Sequence, residues 1–420
     1  MSDKNKKISR REFIRSAGVT GIGSLLALSS GLVGNALAQE AKKEEKKETP
    51  TEEKKMEIPK MPTRTFGKTG VPVSILCLGG ITDWVTNQIL LKKALDWGIT
   101  YWDTANGYNG GNSELGIGNF FGKFPEARKK IFLVTKGGAK SPAELTRMLN
   151  LSLERMKTDY IDLYFMHGMD NINVFTPEIK TWAENAKKEK KIKFFGFSTH
   201  SNMANCLANA ATLGWIDGIM LTYNYQVMFK EDMKKAVEAC NKAGIGLTAM
   251  KTQAGRSKKG ETPPDFQFAE KFIQKGYTPE QAKLKVVWEN AMIASICSAM
   301  FNLTVLSSNF AAAVDKTRLE LSDLSLFKTY AEATCSGYCA GCAEICNRAM
   351  GEEAHIAEVM RSMMYYHSYG DAVLAREQFN QIPEEIRSRM SHRDYSRAEE
   401  VCPHKIAIGK LVKEASKILA

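Results

Sequence analysis

The chain has 420 residues, of which 44% are hydrophobic and 25% are charged, and its formal net charge is +11. These proportions are typical of a globular protein and exclude a collagen-like, a wholly disordered or a polytopic membrane protein. Residues 1–38 supply +4 of the charge. In the rest of the chain the basic residues do not form a stripe interleaved with aromatic residues, so we predict no nucleic-acid partner.

The first 60 residues divide into two segments, neither of which has the pattern of a globular core. In residues 1–38 a basic stretch precedes a weakly apolar run that ends in Ala-Leu-Ala at 36–38. The sequence SRREFIR at 9–15 resembles a twin-arginine (Tat) export signal. It implies the Tat translocase as a partner, cleavage after Ala38 and a periplasmic or other extracytoplasmic location. A cleaved signal leaves no permanent membrane span, and the alternative is an N-terminal membrane anchor. Residues 39–60 contain seven lysines and seven glutamates, which predicts a disordered charged linker.

Between residues 61 and 320, short apolar runs alternate with amphipathic stretches. Strands separated by helices indicate a parallel sheet, and eight such units indicate an α/β fold of the closed (β/α)8 TIM-barrel type. An open doubly wound sheet is the alternative, but no predicted strand is followed by a G-x-G-x-x-G turn. The predicted strands are 72–78, 99–103, 131–135, 161–166, 194–198, 217–221, 245–250 and 303–307. The predicted helices include 144–157, 177–189, 230–243 and 279–294, the last capped by Thr278 and Pro279.

Four polar residues lie at or just after the ends of predicted strands two to four: Asp103, Tyr108, Lys136 and His167. In a (β/α)8 barrel the carboxyl ends of the strands meet at one mouth, where function resides. A lysine beside a tyrosine hydroxyl lowers the pKa of the phenol, and an aspartate keeps the lysine charged. A neutral histidine can donate a hydrogen bond to a carbonyl oxygen. The set therefore predicts carbonyl or alcohol chemistry with Tyr108 as general acid or base. Taken singly, each residue would be an ordinary buried polar group.

Several short stretches of the chain match a known family. They are TFGKTG at 65–70, GITYWDTA at 98–105, SELG at 113–116, DYIDLY at 159–164, FGFS at 195–198 and YN at 223–224. By these stretches, residues 62–318 resemble the aldo-keto reductase family. The resemblance implies that Asp103, Tyr108, Lys136 and His167 form the family's catalytic tetrad. It also implies a TIM barrel that acts on a small carbonyl or alcohol substrate with NAD(P).

The positions that hold the nicotinamide cofactor in this family differ in this chain. The chain has Ser-Thr-His at 198–200 instead of Ser-Asn, and a methionine where a glutamine usually begins the next motif. The sequence KTQAG replaces a Pro-Leu loop at 251–255, and SSNFAAA at 307–313 contains no arginine or lysine. Without a guanidinium there is no bidentate contact to a 2′-phosphate. We therefore expect weak or lost NAD(P) binding at Ser198, Thr199, Met220, Lys251, Ser307 and Ser308.

The cysteines near the C-terminus indicate a second cofactor. Residues 335–346 read CSGYCAGCAEIC, and a Cys-Pro pair follows at 402–403. This spacing is typical of iron–sulfur proteins, with zinc or disulfides as alternatives. In two-cluster ferredoxins, which have two runs of four cysteines, the fourth cysteine of each run ligates the other cluster. In this chain Cys402 would be the fourth cysteine of the second run, and the first three cysteines of that run are missing. We predict that residues 321–420 form a small all-α, ferredoxin-like domain. It would hold one [4Fe–4S] cluster on Cys335, Cys339, Cys342 and Cys402, with Cys346 as the alternative ligand.

Two functions follow from these patterns. The first is an exported oxidoreductase that relays electrons through the cluster to or from a redox partner protein. The second is a non-catalytic electron-transfer or binding subunit built on a degenerate reductase barrel. An ordinary cytoplasmic NADPH-dependent reductase would require the twin-arginine motif to be accidental. The sequence MMYY at 363–366, with YG at 369–370, resembles iron–sulfur relatives of the aldo-keto reductases.

Overall fold

The computed structural model describes residues 58–255, 263–351 and 354–420. The predicted export signal and nearly all of the predicted linker therefore lie outside the described residues. Residues Lys60–Ala420 form one compact unit. No helix in the described part of the chain is both long and apolar enough to cross a membrane.

A short antiparallel hairpin precedes the barrel, in which β1 (Thr63–Thr65) pairs with β2 (Pro72–Ser74). Phe66, which directly follows β1, is fully buried in the barrel interior. Gly218 and Gly246 face its ring, and a Cβ atom at either position would overlap it. These two glycines thus leave the space that the aromatic ring fills.

Eight parallel strands close into a barrel, which confirms the predicted fold class. The strand sequences are apolar because helices cover the outside of the barrel and side chains fill its interior. Strand β10 pairs with β3 and so closes the barrel. In order around the barrel the strands are β3 (Leu76–Gly79), β4 (Tyr101–Asp103), β5 (Phe132–Gly137), β6 (Ile161–Met166), β7 (Ile192–Thr199), β8 (Gly218–Thr222), β9 (Gly246–Met250) and β10 (Ile293–Ala299).

Amphipathic helices pack around the strands. The predicted N-cap at Thr278 is confirmed, since its side chain and that of Gln281 form a reciprocal capping box with the backbone. The helices of this region are α1 (Gln88–Asp96), α2 (Asn112–Lys123), α3 (Pro142–Arg155), α4 (Pro177–Lys188), α5 (Met203–Leu213), α6 (Glu231–Lys242), α7 (Pro263–Gln274), α8 (Pro279–Trp288) and α9 (Leu303–Val314).

The eighth strand was predicted in the wrong place. Residues 303–307 begin helix α9, and the strand is β10, about ten residues earlier. Asn302 caps α9 by accepting a hydrogen bond from the Val305 amide at 2.9 Å. Leu306 and Phe310, four residues apart, are fully buried on one face of the helix. Capping and helical burial thus outweigh the strand propensity of the Leu-Thr-Val-Leu run. The first predicted strand is also divided, since 72–74 belongs to the hairpin and 76–79 to the barrel.

Residues 321–420 form a group of helices, called here the C-terminal segment. It contains a hydrophobic core of its own, in which Val359, Phe379, Met390 and Val412 are fully buried. A π-helical turn, Tyr365–Tyr369, directly follows one of its helices. The helices are α10 (Leu321–Thr334), α11 (Ala343–Met350), α12 (Ile356–Met364), α13 (Ala372–Phe379), α14 (Glu384–Met390), α15 (Ser396–Val401) and α16 (Ile408–Ile418).

Candidate functional site

The four predicted catalytic residues lie together at the mouth of the barrel. Asp103 ends β4, Lys136 lies in β5, Tyr108 begins the turn after β4, and His167 directly follows β6. Lys136 Nζ donates hydrogen bonds to Asp103 Oδ2 at 2.7 Å and to the Thr104 carbonyl at 2.8 Å. The same nitrogen lies 3.5 Å from the Tyr108 hydroxyl. The rings of Tyr108 and His167 meet edge to face, with 5.6 Å between their centroids.

Burial keeps the proton on Tyr108. Burial raises the pKa of Tyr108 above its ordinary value, and the attraction of Lys136 for the phenolate is too weak to offset it. Lys136 does act to lower the pKa of the phenol, as expected from the sequence, but burial outweighs this effect and the net shift of the pKa is upward. Burial by itself would lower the pKa of Lys136, but the attraction of the Asp103 carboxylate raises it above the usual lysine value. Lys136 consequently carries a positive charge beside a protonated phenol.

His167 is neutral at physiological pH. Burial, followed by the positive charges of Lys136, Arg361 and Lys251, lowers the pKa of His167 to about 3. Two of these cations, Lys136 and Lys251, belong to the barrel, whereas Arg361 belongs to helix α12 of the C-terminal segment. The neutral ring can donate one hydrogen bond into the mouth and accept another.

The two hydroxyls at the end of β7 that were candidates for cofactor binding are engaged within the protein. Ser198 Oγ accepts a hydrogen bond from the Gly168 amide at 3.0 Å, and Thr199 Oγ1 donates one to the Ser201 carbonyl at 2.8 Å. The Met220 side chain is buried in the core of the barrel. These three residues therefore contribute to the fold.

The remaining cofactor candidates lie on separate elements. Ser307 and Ser308 are in the interior of helix α9, and the Ser308 carbonyl accepts a hydrogen bond from Gln281 Nε2 at 3.0 Å. Lys251 directly follows β9, and its Nζ lies 4.9 Å from the centroid of the Tyr365 ring. The structure therefore places Lys251 at the mouth and the two serines within a helix.

The C-terminal segment packs directly on the loops that follow β7, β8 and β9. The Asn202 amide donates a hydrogen bond to the Gly341 carbonyl at 2.7 Å. Asn224 Nδ2 donates to the Tyr338 hydroxyl at 2.9 Å. With the contact of Lys251 and Tyr365, these interactions bring the C-terminal segment over one side of the barrel mouth.

Cys297 is a mouth residue to which sequence analysis assigned no role. It lies in β10 opposite Cys77 of β3, and its thiol lies near the side chains of both Cys77 and Asp103. Cys297 is partly exposed, whereas Cys77 is fully buried. Because the eighth strand was predicted about ten residues too late, the sequence pattern did not place Cys297 near Asp103.

Four cysteines line a second pocket, which lies within the C-terminal segment. They are Cys339, Cys342, Cys346 and Cys402, and the apolar lining includes Met360. Burial raises the pKa of Cys339 to about 12, and the other three thiols of the pocket add to the rise.

Cys335 is not among the residues that line this pocket, although three of its predicted companions are. It begins a short turn, and its carbonyl lies 3.1 Å from His404 Nδ1. Within the described ranges, no group of three or more His, Cys, Asp or Glu side chains converges closely enough to hold a single metal ion.

The barrel places the chain in the large class of (β/α)8 proteins. Comparison with known families identifies one family within this class. Residues 80–302 match the model of the aldo/keto reductase family. Because the match covers more than half of the 420 residues, the chain belongs to the aldo/keto reductase family, which is a family of oxidoreductases. The resemblance stated from the sequence is thus confirmed at the level of the family.

Individual relatives agree with this assignment. The chain is 30% identical over 217 residues to the uncharacterized oxidoreductase YrpG of Bacillus subtilis, covering 45% of this chain and 66% of that protein. It is 30% identical over 209 residues to the aldo-keto reductase yakc [NADP(+)] of Schizosaccharomyces pombe, covering 44% of this chain and 59% of that protein. The aldo-keto reductase AKR11C1 from Bacillus halodurans, in its holo form, shares the fold with a TM-score of 0.54 at 22% identity. That likeness covers 64% of this chain and 96% of the AKR11C1 chain.

Proposed function

We propose that the protein is an exported oxidoreductase of aldo-keto reductase type, which reduces a small carbonyl compound or oxidises the corresponding alcohol. The observation that carries the proposal is the buried contact of Lys136 Nζ with Asp103 Oδ2 at 2.7 Å, 3.5 Å from the Tyr108 hydroxyl. Export to the periplasm or another extracytoplasmic compartment is proposed from the SRREFIR sequence at 9–15.

Tyr108 acts as the general acid in the direction of reduction. Its raised pKa keeps the phenol protonated, so it can donate a hydrogen bond to the carbonyl oxygen and transfer the proton as negative charge develops there. The positive charge of Lys136 stabilises the phenolate that remains. In alcohol oxidation the same phenolate accepts the proton back.

His167 and Asp103 position the reacting groups. A neutral His167, with its ring beside that of Tyr108, supplies a second hydrogen bond to the carbonyl oxygen and orients it. Asp103 is 97% buried and holds Lys136 at the mouth through their ion pair. Removal of either partner would leave an uncompensated buried charge, which typically destabilises a protein by about 3–5 kcal/mol.

The residues present do not fit a nicotinamide in the way that members of this family typically bind it. Ser198 and Thr199 are engaged in the fold, and Met220 is buried in the core. The C-terminal segment packs on the loops that would face the cofactor. We therefore assign no step to a nicotinamide.

The pocket of four cysteines fits an iron–sulfur cluster. Cys339, Cys342, Cys346 and Cys402 bring four thiols to one largely apolar pocket, and cysteine thiolates are the usual ligands of a [4Fe–4S] cluster. We therefore propose these four residues as the ligand set, with Cys346 in place of Cys335. A bound cluster would supply electrons one at a time. The two electrons that a carbonyl takes up on reduction, together with two protons, would therefore arrive in two successive transfers from a redox partner protein.

Iron and acid-labile sulfide analysis tests the ligand set on protein purified without oxygen. We expect Cys346→Ser to lose most of the cluster's iron and its visible absorbance, because the pocket then lacks one thiolate. Cys335→Ser serves as the matched control and should retain both. Loss of iron in Cys335→Ser with retention in Cys346→Ser would contradict the set. Zinc in place of iron, or disulfides between these cysteines, would exclude the cluster.

Substitution of Tyr108 tests the catalytic proposal. Reduction of a panel of aldehydes is measured with dithionite-reduced methyl viologen as electron donor. Tyr108→Phe removes one hydroxyl, and we expect kcat to fall by about 10²–10⁴-fold, the usual contribution of a general acid. Tyr160→Phe is the matched control, because this partly exposed ring contacts Arg128 and Lys193 through its face. Equal rates in wild type and Tyr108→Phe would reject the catalytic role.

One observation favours a second function, a non-catalytic electron-transfer or binding subunit. The C-terminal segment packs on the loops after β8 and β9, beside Lys251, one of the positions expected to hold the nicotinamide cofactor in this family. The same experiment separates the two functions. Cluster reduction by a partner or by dithionite, without turnover of any aldehyde and without bleaching by NADPH, would support the subunit.

A further inference from the structure

Three basic side chains from separate elements face one side of the barrel mouth. His200 follows β7, and Lys251 follows β9. Arg361 comes from helix α12 of the C-terminal segment, one helical turn before Tyr365, whose ring lies 4.9 Å from Lys251 Nζ. The group thus combines two residues of the barrel with one residue that lies beyond the region matched to the family, which ends at 302.

No carboxylate of the described residues forms an ion pair with Lys251 or Arg361. Arg361 Nε and His200 Nδ1 are shielded from solvent and have no hydrogen-bond partner in the part of the chain that the structure describes. The Asp103 carboxylate, in the same mouth, is paired with Lys136 at 2.7 Å.

His200, Lys251 and Arg361 are each only partly exposed, and shielded polar atoms without a hydrogen-bond partner, such as Arg361 Nε, lower the stability of a folded protein. An anion bound between these side chains would supply the missing partner, and a guanidinium beside an ammonium is the donor set that suits a carboxylate or a phosphate. His200 adds a ring nitrogen that can donate to the same group.

The basic side chains also lie close to the reacting groups. Lys251 and Arg361 both act on the imidazole of His167, as does Lys136. An anion held by them would therefore lie beside a carbonyl oxygen that is bound between Tyr108 and His167. One molecule that carries both a carbonyl and an anionic group would then occupy both places.

We propose that Lys251, His200 and Arg361 form a binding site for an anionic group of the substrate, and that the substrate is a carbonyl compound bearing a carboxylate or a phosphate. This inference rests on the proposed function, because it names the substrate class of the same mouth. The C-terminal segment then completes the substrate site through Arg361, in addition to holding the proposed cluster.

Isothermal titration calorimetry on the full-length, cluster-loaded protein tests the site with two probes, inorganic phosphate and pyruvate, at constant ionic strength. We expect binding of at least one probe, and an affinity at least about tenfold lower in Arg361→Met and in Lys251→Met, since each removes one charged hydrogen-bond donor. Arg376→Met is the matched control, an exposed arginine of the same segment, and should bind like wild type. Circular dichroism and iron content establish that each variant is folded and loaded.

Three results would overturn the proposal: no binding of either probe to wild type, equal affinities in Arg361→Met and wild type, or an equal loss in Arg376→Met. A further arm uses ADP-ribose. If ADP-ribose binds and Arg361→Met weakens it, while phosphate and pyruvate do not bind, the cations belong to a dinucleotide pyrophosphate site instead.

Failure of this inference is distinguishable from failure of the proposed function. Tyr108→Phe should bind phosphate like wild type, since it changes the reacting group and leaves the cations in place. Loss of probe binding with retained turnover of neutral aldehydes would reject the anion site and leave the catalytic role of Tyr108 intact.

Discussion

At the barrel mouth, burial and the neighbouring cations lower the pKa of His167 to about 3. An unfolded histidine has a pKa near 6.5, so the unfolded chain binds more protons than the folded chain between roughly pH 6.5 and pH 3. Stability must therefore fall as the pH is lowered through this window, by linkage. The contribution of the neutral ring to stability is complete above the pKa of histidine in the unfolded chain, and it decreases as the pH is lowered.

This linkage predicts the behaviour of a single variant. The thermal midpoint of wild type should fall between pH 7.5 and pH 5.0 by more than that of His167→Gln, because glutamine takes up no proton on unfolding. Differential scanning calorimetry of both proteins at the two pH values measures the difference. An equal fall of the thermal midpoint in the two proteins would show that His167 is not desolvated in the folded state.

The positions of Asp103, Tyr108, Lys136 and His167 could be predicted from the sequence, because the carboxyl ends of parallel strands necessarily meet at one mouth. The protonation states of these residues could not be predicted from the sequence. The sequence shows that a lysine accompanies Tyr108, but the degree of desolvation that outweighs this lysine depends on how the whole mouth packs. Likewise, nothing near Cys335 in the sequence shows that Cys346, rather than Cys335, faces the pocket with Cys339.

At the scale of single elements, the hairpin and the strands β8 and β9 depend on one another. Phe66, which follows β1, fills the space above Gly218 and Gly246, the first residues of these strands. The ring is fully buried and surrounded by other core side chains, so it cannot move aside for an added methyl group.

Gly246→Ala should therefore lower the free energy of unfolding by about 1–3 kcal/mol, the usual effect of overpacking a core. Gly138→Ala is the control, because a Cβ atom at that exposed position meets no atom within 4 Å. Urea unfolding followed by tryptophan fluorescence measures both variants. A Gly246→Ala protein as stable as the control would mean that the ring of Phe66 has room to shift.

The strands that the sequence located well are those with long apolar runs between clear helices, such as β6, where the predicted range 161–166 equals the observed one. The eighth strand was missed because Ile293–Ala299 contains alanines and serines, which weaken its strand pattern. The more apolar run at 303–307 follows closely and belongs to helix α9. Local composition therefore favoured the wrong segment, and closure of the barrel against β3 identifies the correct one.

At the scale of the whole molecule, the alternation of strands and helices was sufficient to predict the barrel. The packing of the C-terminal segment on the barrel mouth was not predictable, because it depends on contacts between distant parts of the chain. The hydrogen bond between Asn224 and Tyr338, for example, joins residues 114 positions apart. Both residues belong to motifs of the sequence, YN at 223–224 and CSGYCAGCAEIC at 335–346, but no local pattern shows that the two motifs meet.

That packing has a consequence for the order of events during biosynthesis. The ribosome completes β10 before it makes Tyr338, Arg361 or Tyr365, and domains generally fold from the N-terminal side as the chain emerges. The barrel mouth is therefore open on a nascent chain and acquires Arg361 only when the later helices dock. A chain that stops after β10 would still close its barrel, but its mouth would lack Arg361.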